Sequence, residues 1–523
     1  MNEILAVKAR HPYRYKIRTI IPGAIACALI LRILLGYSWF IFFWWTSAIF
    51  SIGTLILVYF IWWLIRWCDY IVSTSSALFQ LKKHERLNFE SIMKNPQTHD
   101  EIIMAKKMLP DLKPHDVIHR CIIPMYNEST DIVYETVDAI RKSNYDLSRV
   151  AVTIQWEAAK REHFMQVIQE ILPLKQEFGY FNYTCHELQP GEMIGKWSNI
   201  TYGTKLLYPE VIKHFNTTAD KILVTTLDAD SKVDIEYFSI LTYTFITTPD
   251  RKHASYQPVI FFFNNFWQAP FFSKIVSLFN TFWILFNFTK KYGPRNFSSH
   301  AQPLDALIEM DFWSKQTIVE DGHQYRRSFF HFHGKYECVP VYTKIYQDCN
   351  LNSSFMKTVW AQYDQMRRWA HGTQDIPYVR CQMLDQRPTL DKSRIIFEFW
   401  RSLEGIVLWS TLHLVLLSWL AFSLLKDIQL SSYLSLGSTI SLFTNIAFTL
   451  TITSLLLSVA VLPFEKTRTR WYKARHVIVF LAYFFIFVGP SLVIFSGLPA
   501  LHTQIAIMLG KPLKKFNVTT KIR

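Results

Sequence analysis

The chain has 523 residues, half of them hydrophobic, with 17 Trp, 41 Phe and a net charge of +15. An aromatic, apolar composition of this kind points to membrane interfaces, and a basic balance suits nucleic acid or the anionic cytoplasmic face of a bilayer. The basic residues cluster around apolar runs and form no single stripe interleaved with aromatics, which excludes nucleic acid as a partner. Seven scattered cysteines (Cys27, Cys68, Cys121, Cys185, Cys338, Cys349, Cys381), odd in number and without a CxxC pair, exclude a disulfide scaffold.

The first segment, residues 1–70, carries a basic head (Lys8, Arg10, Arg14, Lys16, Arg18) and two apolar runs. One goes from Ile20 to about Phe43, broken by Arg32, and the other from about Ser47 to Trp67. Each is long enough to span a bilayer, and the basic head keeps the start of the chain cytoplasmic, so two crossings return it to that side. A retained anchor fits better than a cleaved signal peptide.

Residues 71–395 read as a water-facing α/β domain. Strand patterns at Val117–Pro124, Val150–Trp156, Tyr180–His186 and Ile222–Leu227 alternate with helix patterns bearing Ile132, Val137 and Ile140, then Phe164, Val167, Ile168 and Ile171, then Ile200 to Phe215. The alternation predicts a mainly parallel sheet covered by helices, with active residues at the carboxyl edge of its strands. A helix over Ile235–Thr247 and a strand near Ser255–Phe262 follow. Phe271–Phe288 is apolar but follows Pro270 and contains Lys274, and it reads as an interfacial or buried helix. Residues 396–523 return to membrane character, with spans at Ile406–Leu425 and Ile440–Leu462. The basic loop Glu465–His476 comes next, then an apolar stretch over 477–510 broken by glycine and proline, and a basic tail. Three or four C-terminal spans result, with a cytoplasmic end favouring four.

Four stretches carry chemistry. Asp228-Ala229-Asp230 ends a strand, and carboxylates two residues apart can reach one hard divalent cation, Mg²⁺ or Mn²⁺, that holds a diphosphate. Val319-Glu320-Asp321-Gly322 places acids on a loop at the domain edge, where one can deprotonate an acceptor hydroxyl. Gln365, Arg368 and Trp369 lie at i, i+3 and i+4 of a helix over 353–371, so an amide, a guanidinium and an indole share one face suited to a diphosphate and a sugar. Gly195-Lys196-Trp197-Ser198-Asn199 precedes a helix, an arrangement suited to phosphate. His323, His331, His333 and Cys338 lack the paired spacing of a zinc site.

Taken in this order and between membrane runs, the stretches resemble the membrane-integrated glycosyltransferase family 2 enzymes, the cellulose, chitin and hyaluronan synthases. The resemblance runs from about residue 115 to 375. Pro124-Met125-Tyr126-Asn127-Glu128 matches its P-x-x-N-E, Asp228 and Asp230 its D-x-D, Glu320-Asp321 its acid pair with Val319 where Thr is usual, and Gln365, Arg368 and Trp369 its Q-x-x-R-W. The tail Lys515-Phe516-Asn517-Val518-Thr519 is similar to the F-x-V-T segment of bacterial cellulose synthase.

The resemblance implies a GT-A domain between N- and C-terminal transmembrane helices in a multi-pass protein of the plasma or inner membrane, with its catalytic domain cytoplasmic. It implies inverting, metal-dependent transfer from a nucleotide-sugar, a UDP-sugar in the first instance, to a glycan or lipid-linked acceptor at the bilayer. Asp230 and Asp228 would bind the metal, with Asp228 also contacting the donor's nucleoside part. Asp321, paired with Glu320, would be the base. Lys196, Asn199, Gln365, Arg368 and Trp369 would bind the donor. Asp311 and Trp313 fall where the family forms its acceptor pocket. After the second strand the family presents a base-contacting aspartate, for which Glu157 stands here. The short domain and Gly322 after Asp321 weigh against processive polymerisation. A non-catalytic scaffold or glycan transporter retaining the fold is the alternative.

Overall fold

The computed structural model describes residues 3–42, 46–190, 192, 195–315, 317–386, 390–425, 452–464 and 467–513. The proposed span at 440–462 therefore lies largely outside the described residues, as do the tail from 514 and residues 465–466 of the basic loop.

The centre is one eight-stranded sheet: β1 (Ile118–Met125), β2 (Val150–Glu157), β3 (Tyr180–His186), β4 (Ile222–Thr226), β5 (Lys232–Val233), β6 (Ala254–Phe261), β7 (His300–Pro303) and β8 (Glu337–Tyr346), in the order 3-2-1-4-7-6-8-5. β1 pairs in parallel with β2 and β4, and β2 with β3, as the alternating pattern predicts. Beyond β4 the sheet is mixed, a correction to the mainly parallel expectation. β7 runs antiparallel to β4 and β6, β5 antiparallel to β8, and only β6–β8 is parallel. Strands of two and four residues are too short to show a period of their own.

Successive residues of the strands feed opposite cores. Ile118, Ile122, Ile222 and Val224 join one apolar cluster, and Cys121, Ile123, Val152 and Leu223 the other. The second of these clusters is covered by α4 (Thr130–Arg141), α5 (Arg161–Ile171) and α7 (Tyr237–Thr247), and the first by α6 (Lys196–Phe215), α9 (Glu320–His331) and α11 (Asp375–Asp385). α6 approaches the sheet closely because Gly203 has no side chain: a Cβ there would lie 2.3 Å from Thr184 Oγ1 and 2.5 Å from Gln155 Nε2.

The curl of the sheet follows from chain length. β5 is the edge strand farthest in order from β3, yet it starts six residues after β4 ends. Six residues reach about 20 Å at most, so the β8–β5 edge must wrap back to the carboxyl end of β4. The register slips by two residues between Pro258–Val341 and Val259–Lys344, which bends that half. The Asp228–Asp230 turn sits in the resulting fold of the sheet.

Long helices surround this unit: α1 (Glu3–Arg10), α2 (Pro12–Phe42), α3 (Thr46–His84), α8 (Phe271–Phe288), α10 (Phe355–Trp369), α12 (Lys392–Leu425), α13 (Arg470–Leu492) and α14 (Leu498–Met508). By length and composition, two helical stretches among the described residues could cross a membrane, Phe271–Phe288 and Arg470–Met508. The first packs 67% buried, as expected of a helix enclosed by protein. α1 docks on α9: Glu3 pairs with Arg327 at 3.3 Å, and His323 lies 3.6 Å from Glu3 and 2.7 Å from Asp375.

Candidate active site

The carboxyl ends of β1, β2 and β4 open into a cavity of about 1280 Å³. Its lining includes Glu128, Glu157, Lys196, Asn199, Asp228, Asp230, Glu320, Asp321, Gln365, Arg368 and Trp369, so the structure brings together every donor, metal and base candidate read from the sequence. It does not bring Asp311 and Trp313 there. Asp311 is on a left-handed turn (φ 58°) with its side chain 81% exposed and paired to Lys205, and Trp313 is buried against Trp197, ring centroids 5.5 Å apart.

Asp228 follows β4 directly, and both its oxygens are engaged. Lys196 Nζ donates to Oδ1 at 2.6 Å, and Ser298 Oγ and Gln347 Nε2 donate to Oδ2 at 2.7 and 3.2 Å. Lys196 opens α6, where a cation opposes the helix dipole. Burial also disfavours its charge, yet Asp228, with Asp321 and Glu320 behind it, holds the ammonium above its usual range. Asp230 Oδ2 accepts from the Asp348 N–H at 3.0 Å. Glu128 accepts from the backbone N–H groups of Tyr126 and Asn127, and burial raises its pKa. At the end of β2, Glu157 is also raised by burial.

The acid pair lies in the first turn of α9, a correction to the expected loop. Val319 occupies the N-cap position and has no side-chain oxygen with which to mark a helix start. The dipole of that turn is worth about 0.3–1 kcal/mol to a carboxylate. Burial outweighs it, and burial together with Asp228 pushes Asp321 from 3.8 up to about 7 against the opposing charge of Lys196. Glu320 is raised by burial and by Asp321. Asp321 Oδ2 accepts from the Ser298 N–H at 2.8 Å, while Oδ1 is buried with no hydrogen-bond partner among the described residues.

α10 runs from Phe355 to Trp369, capped by Ser354, a turn shorter than the 353–371 expectation because residues 370–374 tighten to a 3₁₀ turn. Its predicted face meets the cavity. Gln365 accepts from Asn350 at 2.8 Å, and Trp369 packs edge-on to Phe297 at 5.5 Å and against Phe262 at 6.2 Å. Arg368 is placed to feel Glu320, Asp228 and Asp321, and burial lowers its pKa.

Some lining residues carry no signal in the sequence. Ser298 and Gln347 sit on an irregular loop and just past β8, where no periodicity marks them. The lining also continues onto the long helices through Trp63, Arg66, Trp67, Trp283, Trp400 and Arg401.

Six carboxylates (Glu128, Glu157, Asp228, Asp230, Glu320, Asp321) and the basic Lys160, Lys196 and Arg368 line the strand-end part of the cavity. A cation between carboxylates and an anion lets the two be held side by side. Asp230 and Asp228 supply the hard oxygens a divalent ion prefers. Among the described residues, no three His, Cys, Asp or Glu side chains are grouped to hold a metal by themselves. Two carboxylates completed by ligand oxygens fit the arrangement better than an all-protein cage.

No curated protein sequence matches the chain significantly. Similar solved structures include the mannosyltransferase PcManGT of Pyrobaculum calidifontis in complex with GDP-Man and Mn²⁺, at 13% identity, TM-score 0.40, covering 75% of this chain and 97% of that one. GalNAc-T7 with UDP, GalNAc and Mn²⁺ aligns at 11% identity and TM-score 0.30, covering 55% of each chain. S. aureus TarS residues 1–349 with UDP-GlcNAc aligns at 10% identity and TM-score 0.31, covering 76% of this chain and 93% of that one. The family model described as glycosyl transferase family group 2 matches residues 223–492, more than half of the chain. That match contains the β4 aspartates, the α9 acid pair and the α10 face that line the cavity, and this chain belongs to glycosyl transferase family group 2 as a glycosyltransferase.

Proposed function

We propose that the protein transfers a sugar from a nucleotide-sugar, a UDP-sugar in the first instance, to a glycan or lipid-linked acceptor at a membrane, with inversion at the anomeric carbon. The observation that carries this is the continuity of one cavity: it holds the carboxylates, Lys196 and Arg368 at the strand ends and runs on between aromatic residues of the long helices. Lys196 and Arg368 would bind the donor diphosphate, and Glu157 and Asn199 would face its nucleoside end. Mg²⁺ or Mn²⁺ held by Asp230, with Asp228 beside it, would supply the charge that stabilises the departing diphosphate.

Asp321 would take the proton of the acceptor hydroxyl as its oxygen bonds to the anomeric carbon and the bond from that carbon to the diphosphate breaks. The nucleoside diphosphate leaves, and one displacement inverts the carbon. Trp369, braced by Phe297 and Phe262, offers a face on which the acceptor sugar can stack. Trp63, Trp67, Trp283 and Trp400 lie further along, where aromatic rings meet both sugars and lipid headgroups. Multi-pass insertion with the catalytic unit on the cytoplasmic side belongs to this reading. A lipid-linked single addition and chain elongation share this geometry and differ only in product length.

The test is product analysis of purified protein with Mn²⁺ or Mg²⁺ and labelled UDP-glucose, UDP-N-acetylglucosamine and GDP-mannose. Asp230→Asn and Asp321→Asn are each expected to abolish transfer. Retained turnover in both would refute the site assignment.

A further inference from the structure

Ser298 touches both Asp228 and Asp321. Its backbone N–H donates to Asp321 Oδ2 at 2.8 Å and its hydroxyl donates to Asp228 Oδ2 at 2.7 Å. Ser298 is buried, and its φ of 48° puts it in the left-handed region that side chains other than glycine and asparagine seldom enter. This turn of the backbone is what aims the N–H at one acid while the side chain reaches the other. Gln347, also buried, donates to Ser298 Oγ at 2.6 Å and to Ser231 Oγ at 3.0 Å, tying the loop to the chain just past Asp230. Ser299 adds a second tie, its Oγ accepting from the Asp228 N–H at 3.3 Å.

We infer that Ser298 is a positioning residue whose left-handed backbone fixes the separation of the donor-side and base carboxylates and the orientation of the Asp321 carboxyl. The inference rests on the reading of Asp321 as base. The N–H on Oδ2 fixes the rotation of the Asp321 carboxyl, whose Oδ1 is buried and makes no hydrogen bond among the described residues. A donor held on Asp228 and an acceptor held on Asp321 are then kept at a distance set by one residue. A displacement of about 1 Å between such groups costs about 10²-fold in rate.

The variants separate backbone from hydroxyl. Ser298→Val puts a β-branched residue where φ must be positive, which forces the backbone out of the left-handed region and swings the N–H off Asp321. Its kcat is expected to fall by about 10²-fold, with the donor KM and the thermal stabilisation by UDP and Mn²⁺ altered no more than in the glycine variant, which lacks the same hydroxyl. Ser298→Gly keeps the N–H and relaxes into the same φ. It loses only the hydroxyl bond and is expected to stay within about tenfold of the parent.

Full-length protein in detergent or nanodiscs is assayed for transfer, with Asp321→Asn alongside. A valine variant within threefold of the parent kcat, or a glycine variant as slow as the valine variant, overturns the inference while leaving the base assignment standing. Full turnover by Asp321→Asn overturns the base assignment itself, and the inference with it. If the valine variant no longer responds to UDP, Ser298→Ala against Ser298→Gly decides. Both lack the hydroxyl, so faster turnover by the glycine variant supports the inference and equal or slower turnover overturns it.

Discussion

Lys196→Met is the most informative single perturbation. The lysine side chain is 11% exposed, its 2.6 Å pair with Asp228 is 34% exposed on the acid side, and Asp321 and Glu320 also feel its charge. Breaking a fully buried pair by removing one partner costs about 3–5 kcal/mol. Asp228 keeps Ser298 and Gln347 as donors and remains a third exposed, which brings the expected loss of stability to about 2–3 kcal/mol, below that range. A charged hydrogen bond to the donor diphosphate is worth about 1.5–3 kcal/mol, so at about 1.4 kcal/mol per tenfold kcat/KM should fall roughly 10- to 150-fold.

The loss should also have a pH signature. As the proposed base Asp321 must be ionised, and its pKa is raised to about 7, so transfer should fall about tenfold per pH unit below neutrality and level off above it. Lys196 is the largest influence that lowers it, so without the lysine the pKa rises further and the acid limb of kcat moves to higher pH. Initial rates of transfer from pH 5 to 9 at saturating Mn²⁺ measure both effects. An acid limb that stays in place, with kcat/KM within twofold of the parent, would refute the placement of Lys196 between the donor and the base.

Three further outcomes are expected. Chelation by EDTA should abolish transfer, and Mn²⁺ or Mg²⁺ should restore it, because Asp228 and Asp230 offer a divalent ion hard oxygens beside the proposed diphosphate site; transfer that persists in EDTA would contradict the metal reading. Val319→Thr should stabilise the protein by about 1 kcal/mol by supplying the missing cap oxygen to the first turn of α9, seen as a small rise in the thermal midpoint without a change in kcat. Gly203→Ala should destabilise by about 1–3 kcal/mol, because the added methyl meets Thr184 and Gln155 between α6 and the sheet; an unchanged unfolding midpoint would show that α6 can shift freely.

What could be read from the sequence divides along the reach of local spacing. The Gln365–Arg368–Trp369 face depends on helical geometry over five residues, and the structure places those side chains together on α10. Asp228 and Asp230 were legible because a buried strand stops just before them. Glu320 and Asp321 were legible as acids but not as a helix start, since the N-cap residue is valine. The mixed half of the sheet was hidden because β5 and β7 are only two and four residues long and pair with strands far along the chain. Ser298 and Gln347 were hidden for the same reason: each acts through contacts to residues at least 20 positions away, on segments with no repeat of their own. Asp311 and Trp313 fit an acceptor pocket only by their place in the chain, and an ion pair with Lys205 and a buried indole contact hold them elsewhere.

The short link between β4 and β5 makes the two sides of the cavity mechanically unequal. Asp228 and Asp230 hang on a bridge anchored in the sheet at both ends, on β1 and β7 through β4 and on β8 through β5. Asp321 stands at the tip of a helix held by core packing of Tyr325, Phe329 and Phe330 and by side-chain pairs to Glu3 and Asp375, with no strand pairing of its own. Like a vice with one jaw cast into the bench, the site should adjust to an acceptor more readily from the α9 side. Sugar acceptors of different thickness should therefore be accommodated by small shifts of α9 and the Ser298 loop, while the diphosphate end keeps a constant geometry.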